Sequence, residues 1–264
     1  MRSGSFVSRH LTCLTLSGRE KRQDKCQLQC PDDDCHCRLS IRHGSFFWKS
    51  KLSLWLQMQI ILCFCDDMRV TVCARHLGIS RDAAVNYYDN LRGCYIDALE
   101  NDPVKGSSLG PYEVDEFYIQ HVKTRRGGFI NLWVQDLYER ETGRYTANIV
   151  ASRDWDALRP AILAFVPPNS LIFTNGWPSY SALESAGYRH FTVNHSAGEY
   201  SRQERINGEE VEVSINTLEG LHHGLRQRCA NKSGRNVERI ELTLKEYSYR
   251  RSGRSLFDPF KIHE

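Results

Sequence analysis

The chain has 264 residues, 41% of them hydrophobic and 25% charged, which excludes an intrinsically disordered polymer and leaves room for one sizeable domain plus a smaller appendage. Its net charge is only +3, so no strong whole-molecule field of either sign can be the basis of binding. The ten cysteines have no apolar secretory leader ahead of them, which points to a reducing compartment with free or metal-bound thiols and not to a disulfide framework.

Residues 1–40 read as polar and irregular. They contain Cys26, Cys30, Cys35 and Cys37. Four thiolates suit zinc, but these are crowded and close with a Cys-x-Cys step where zinc modules use two separated CxxC-like pairs. The segment reads as a degenerate or truncated zinc module, with bound zinc as the alternative. Next, 45–65 (SFFWKSKLSLWLQMQIILCFC) opens with aromatics and continues as a helix. Its apolar run from Leu52 to Cys65 spans 14 residues, short of the roughly 20 that a bilayer requires, so a buried helix and no membrane span is expected.

A helix-turn-helix pattern follows, within a helical region over 41–100. Val72, Leu77 and Ile79 are placed to pin two helices, Gly78 permits a left-handed turn, and Ser80 is an N-cap with Asp82 in the first turn behind it. The second helix carries Arg81 and Asn86, side chains able to reach phosphates or base edges. Such helix pairs also occur without DNA. Asn101 to Gly110 (NDPVKGSSLG) is turn-rich and is the expected domain boundary.

Beyond it the pattern changes. Strands are predicted over Tyr112 to Ile119, Phe129 to Tyr138 and Arg144 to Val150. A helix from Asp154 to Phe165, a short strand from Leu171 to Thr174, a helix from Trp177 to Ala186 and a strand from His190 to Asn194 come next. A last helix is predicted from Asn216 to about Cys229. Antiparallel strands followed by alternating helices and strands imply an α/β domain over 108–250, a mixed sheet with helices on both faces, and then a tail over 251–264. Residues 221–254 hold nine Lys/Arg, among them Arg226, Arg228 and Lys232, against three Glu. That excess suits phosphate, or equally a solvated basic tail.

Two acids stand out. Asp115 sits mid-strand among apolar residues, where a carboxylate is costly to bury unless a cation compensates it, with Glu116 on the opposite face. An edge strand with both acids solvated is the alternative. Glu219 shares a helix face with His222, His223 and Arg226, while Leu218, Leu221, Leu225 and Cys229 mark the packed face. That charged face could equally be an ordinary solvated one.

Tyr112-Glu113-Val114-Asp115-Glu116, Ile172 to Tyr180 (IFTNGWPSY), Gly187 to Ser196 (GYRHFTVNHS) and Ile215 to Leu221 (INTLEGL) occur in that order, behind Arg42 to Leu52 (RHGSFFWKSKL) and the Leu77 to Ser80 turn. In this arrangement the chain resembles the DDE transposases of the Merlin superfamily and their bacterial insertion-sequence relatives. The resemblance covers residues 38–250. It implies an RNase H-like fold and a three-acid site at Asp115, position 175 and Glu219, spaced by 60 and 44 residues. Such a site holds two Mg or Mn ions about 3.5–4 Å apart for in-line DNA strand cleavage and transfer. It also implies Arg226 near the site, terminal-repeat DNA as partner, a homo-oligomer, and a nuclear location in a eukaryotic host or a cytoplasmic one otherwise.

The chain departs from the pattern at Asn175, where the family carries Asp. An amide oxygen can ligate a metal but brings no charge. The resulting expectation is a transposase-derived DNA-binding protein with impaired catalysis. The alternatives are an active transposase that tolerates Asn175, and an interaction protein that kept only the fold. Five further side chains invite a role: His195 and Asn194 could line the site or cap the next segment, Trp177 could stack on a base or pack locally, and His222 and His223 could ligate a metal or be solvated.

Overall fold

Alternation decides the central strand. In Tyr112–Lys123, residues 112, 114 and 116 take one side and residues 113, 115 and 117 the other. Helices cover both sides in the computed structural model, which describes residues 15–18, 24, 26–30, 37–48, 50–123, 129–231 and 237–260. Contacts divide the chain into two compact units, one of Met1–Tyr88 with Phe260–Glu264 and the other of Asp89–Pro259.

In the first unit, the segment expected to be irregular forms a small antiparallel sheet of β1 (Thr15–Gly18), β2 (Cys26–Gln29) and β3 (Arg38–Leu39). Arg42, buried, is tied to Asp24 and donates to the Ser50 carbonyl, which fixes the chain ahead of α1 (Leu54–Cys65). Ser53 caps α1 through the Leu56 N–H. Then come α2 (Val70–Leu77) and α3 (Arg81–Asn101), of which the residues from Asp89 on belong to the second unit. Gly78 adopts φ 65°, and Ser80 accepts the Ala83 N–H, as the turn chemistry requires. The pinning residues differ from expectation. Val72 is 40% exposed, and the small Cys73 and Ala74 are buried instead, together with Ala84, Tyr87 and Tyr88. Small side chains on the inner face of α2 leave room for those larger aromatics. Among the described residues, no helix is long and apolar enough to cross a membrane.

The second unit holds a five-stranded sheet of β4 (Tyr112–Lys123), β5 (Phe129–Glu139), β6 (Tyr145–Val150), β7 (Leu171–Thr174) and β8 (Arg189–Thr192), in the order β6-β5-β4-β7-β8. The first three run antiparallel; β7 and β8 run parallel to β4. This order, with helices on both faces, is the RNase H-like arrangement. On one face α4 (Trp155–Phe165), capped by Asp154, packs Leu158, Ile162 and Phe165 against Tyr112, Val114 and Leu137. On the other, α5 (Asn216–Asn231) and α6 (Val237–Arg250) pack Leu218, Leu225, Ile240 and Leu244 against Phe117, Val134 and Tyr145.

Three elements differ from the sequence reading. The helix expected over Trp177 to Ala186 is a 3-10 turn, Pro178–Ala182. Its Tyr180 and the Leu183 that ends it are both fully buried. A hairpin of β9 (Ser201–Ile206) and β10 (Glu209–Ser214) covers β7 with Ile206 and Val213 against Leu171 and Phe173. Much of the basic run is not a solvated tail: it belongs to α5 and to α6, which turns Ile240, Leu244 and Tyr247 inward.

The Asn101–Gly110 segment is fastened to this second unit. Ser107 and Ser108 N–H groups donate to Glu139, and Gly106 N–H to the Phe165 carbonyl. Gly110, at φ 100°, would bring a Cβ to 2.5 Å from the Leu171 carbonyl, so no other residue fits there without moving the backbone.

Candidate active site at the centre of the sheet

Asp115 lies on the middle strand and is buried, which rules out the solvated edge-strand alternative. Because β7 pairs with β4 in parallel, with Glu113 opposite Phe173, the residue just past β7 arrives beside Asp115. That residue is Asn175. Its Nδ2 donates to Asp115 Oδ1 at 2.7 Å, and its Oδ1 accepts the Trp177 N–H at 3.0 Å. The two bonds together fix which end of the amide faces the carboxyl. Asp115 Oδ1 also accepts the Glu116 N–H at 2.8 Å. Burial pushes the Asp115 carboxyl up to about 8, aided by the charges of Asp136 and Glu116 and opposed by His222.

Glu219 stands in the first turn of α5. That helix end is anchored at Glu113, two residues before Asp115 on the same face, which accepts from Thr217 Oγ1 at 2.9 Å and from the Leu218 N–H at 3.1 Å. Glu219 itself is exposed, and its Oε1 lies 2.9 Å from His195 Nδ1. His195 Nε2 is buried with no hydrogen-bond partner among the described residues. Asn194, not His195, caps the short turn that follows, accepting the Ala197 N–H at 3.2 Å. The structure therefore joins Asp115 directly to Asn175, and pairs Glu219 with His195. Among the described residues, no three His, Cys, Asp or Glu side chains group so as to hold a metal.

Asp136 was missed. It stands directly across from Asp115 in the β4–β5 register and is fully buried. Tyr145 Oη donates to it at 3.1 Å, and His222 Nε2 lies 3.0 Å away. His222 stacks on Phe117 with centroids 4.1 Å apart. Burial alone would lower this imidazole; the charge and hydrogen bond of Asp136 outweigh it and raise it. The expected sharing of one face by Glu219, His222 and His223 fails for this reason. His222 belongs to the core stripe of Leu218, Leu225 and Cys229, whereas His223 is exposed and bonds Gln227 at 2.9 Å. The heptad-like spacing 218, 222, 225, 229 was the available signal.

Of the other expected contact residues, Arg81 and Asn86 are exposed on α3. Arg226 Nε donates to the Tyr118 carbonyl at 3.0 Å and its guanidinium lies 5.1 Å over Phe117, on the Asp115 face of the sheet. Arg228 lies 5.4 Å over Tyr247. Lys232 falls outside the described residues. Cys30 is buried and its N–H donates to the Cys37 carbonyl at 3.0 Å; Cys35 and the Cys26 side chain fall outside the described residues.

On the opposite face, Glu116 is buried and accepts Tyr180 Oη at 2.7 Å and Arg153 Nε at 3.0 Å. The Arg153 guanidinium lies over the rings of Trp133 and Trp177.

Comparison with known proteins adds the family. No curated protein matches the chain. Among solved structures, the simian T-cell lymphotropic virus intasome in complex with the PP2A regulatory subunit B56 gamma aligns with 15% identity, 72% of this chain and 67% of that one, at a TM-score of 0.32. The Mos1 strand transfer complex aligns with 10% identity over 79% of each chain, at 0.28. The mariner Mos1 paired end complex with Mg aligns with 12% identity over 85% and 86%, at 0.26. Similarity at that level is faint, and the fold assignment rests on strand order. Residues 109–236, which span β4 through α5, match the family described as the ISXO2-like transposase domain. The stretch that builds the sheet and carries Asp115, Asn175 and Glu219 is thus the part of this chain that is similar to the ISXO2-like transposase domain.

Proposed function

We propose that the chain is a transposase-derived DNA-binding protein whose strand-transfer chemistry is impaired. The observation that carries this reading is the Asn175 amide, with its NH2 on Asp115 and its oxygen on the Trp177 N–H. Mg or Mn at such a site needs charged oxygen donors that converge. Here the middle donor is neutral and presents hydrogens to the first carboxyl, and the last carboxylate is engaged by His195. With the Asn175 NH2 facing Asp115, a shared cation would require the amide to turn over, and it would still lack the charge of a second carboxylate, so the residues present fit a two-metal centre poorly.

DNA binding is supported by the transposase domain match and by the cationic side chains Arg226 and Arg228 on α5, with exposed Arg81 and Asn86 on α3 as further contacts. Terminal-repeat DNA, a homo-oligomer on paired ends and a nuclear site of action in a eukaryotic host follow from the same reading. Zinc at the cysteine cluster is not needed by it.

Nicking and strand transfer on supercoiled plasmid, with Mg or Mn, test the catalytic half. The unmodified chain is expected to leave the plasmid intact while Asn175→Asp gains metal-dependent nicking. Equal cutting by the two would overturn the impaired reading. For the binding half, duplex affinity must fall as salt rises, because phosphate contacts release counterions. Absence of binding even at low salt would leave a protein that kept only the fold.

A further inference from the structure

Trp177 is 38% exposed although it lies only two residues past Asn175, at the centre of the domain's candidate site. It is nevertheless held firmly. Its Nε1 donates to the Arg153 carbonyl at 2.9 Å, and the Arg153 guanidinium lies 3.7 Å over its ring. That guanidinium also lies 4.4 Å over Trp133 and is bound to Glu116, whose side chain is fully buried, at 2.9 Å. Glu116 is in turn held by Tyr180. The indole is thus positioned from the central strand outward, through Glu116 and Arg153, and still keeps much of its surface open.

We propose that Trp177 is a stacking platform for an unpaired or flipped nucleobase of the DNA strand lying along the Asp115–Asn175 end of the sheet. A fixed indole loses little freedom on binding a base, and every base has a π-face to offer the part of the ring that the Arg153 guanidinium does not cover. This inference rests on the DNA-binding reading and deepens it, because it names the part of the DNA that is recognised.

The test is equilibrium binding of the full-length chain to a labelled blunt duplex and to the same duplex carrying a short single-stranded overhang. The variants are Trp177→Ala and Trp177→Phe, and thermal unfolding of each variant verifies that it folds. The overhang should bind more tightly to the unmodified chain. Trp177→Ala should weaken the overhang complex by about 5-fold to about 150-fold, the range of a base–aromatic stack, and leave the blunt duplex unchanged. Trp177→Phe should retain most of the overhang affinity. If Trp177→Ala binds both duplexes as the unmodified chain does, or loses equally on both, the platform is overturned while DNA binding stands. If the unmodified chain shows no salt-dependent binding to either duplex, the DNA-binding reading falls and the platform with it.

Discussion

Replacing Asn175 by Asp exchanges a donor 2.7 Å from Asp115 Oδ1 for an anionic oxygen in the same place. Two costs follow. The lost hydrogen bond to a buried carboxyl is worth about 1.5–3 kcal/mol. Two full charges about 3 Å apart would add roughly 5 kcal/mol at an effective dielectric of 20. Much of that second cost is avoided by protonation of Asp115, whose carboxyl burial already pushes up to about 8. The net loss in chelator is therefore about 2–3 kcal/mol, or about 4–12 °C of melting temperature for a domain of this size. Mg reverses the sign of the interaction, since a dication between two carboxyls attracts both. At ten times its dissociation constant it returns about 1.4 kcal/mol. Thermal unfolding of the unmodified and Asn175→Asp chains in chelator and in Mg measures each quantity. The reasoning is refuted if the variant melts with the unmodified chain in chelator, or if Mg stabilises the unmodified chain as much as the variant.

Glu139→Gln should lower stability by about 3 kcal/mol at neutral pH. Burial alone would raise this carboxyl, but hydrogen bonds from Thr142, Ser107 and Ser108 bring it from 4.5 down to about 2. A depressed carboxyl stabilises the fold above its unfolded value, and the contribution drains away as pH falls from 4.5 to about 2; acid titration of unfolding should show that limb in the unmodified chain and a flatter one in Glu139→Gln. His222→Phe keeps a ring on Phe117 but removes the buried partner of Asp136, and urea unfolding should report a loss of about 3 kcal/mol. Glu246→Ala removes the carboxylate 2.7 Å from Arg92 and 3.0 Å from Arg250, while Arg92 keeps Asp89 at 2.6 Å, and should cost about 1.5–3 kcal/mol by the same measurement. In DNA binding, Arg226→Ala should reduce the slope of log affinity against log salt by about 1 for each phosphate contact removed.

Much of the site's geometry was legible where local chemistry decides it. Asp115 falls on an apolar alternation, Glu116 necessarily takes the other face, and the caps at Ser80 and Asp154 and the left-handed Gly78 follow from residue type. Asp136 was not legible, because nothing in Trp133 to Tyr138 says which residue of β5 stands opposite Asp115 until the register is known. The β9–β10 hairpin escaped because its strands are rich in charge, although Asn207-Gly208 between them is a strong turn signal. Likewise α6 hid behind its Arg and Glu residues, with Ile240, Leu244 and Tyr247 as the stripe that betrays it. The fate of Glu219 depends on His195, brought alongside by a loop whose path the sequence does not specify.

The amide of Asn175 occupies the side of Asp115 that a shared cation would need. Titration of the full-length chain and of Asp115→Asn with Mn, following free Mn by electron paramagnetic resonance, tests it most directly. The two titrations should superimpose. Saturable Mn binding by the unmodified chain that Asp115→Asn abolishes would contradict it.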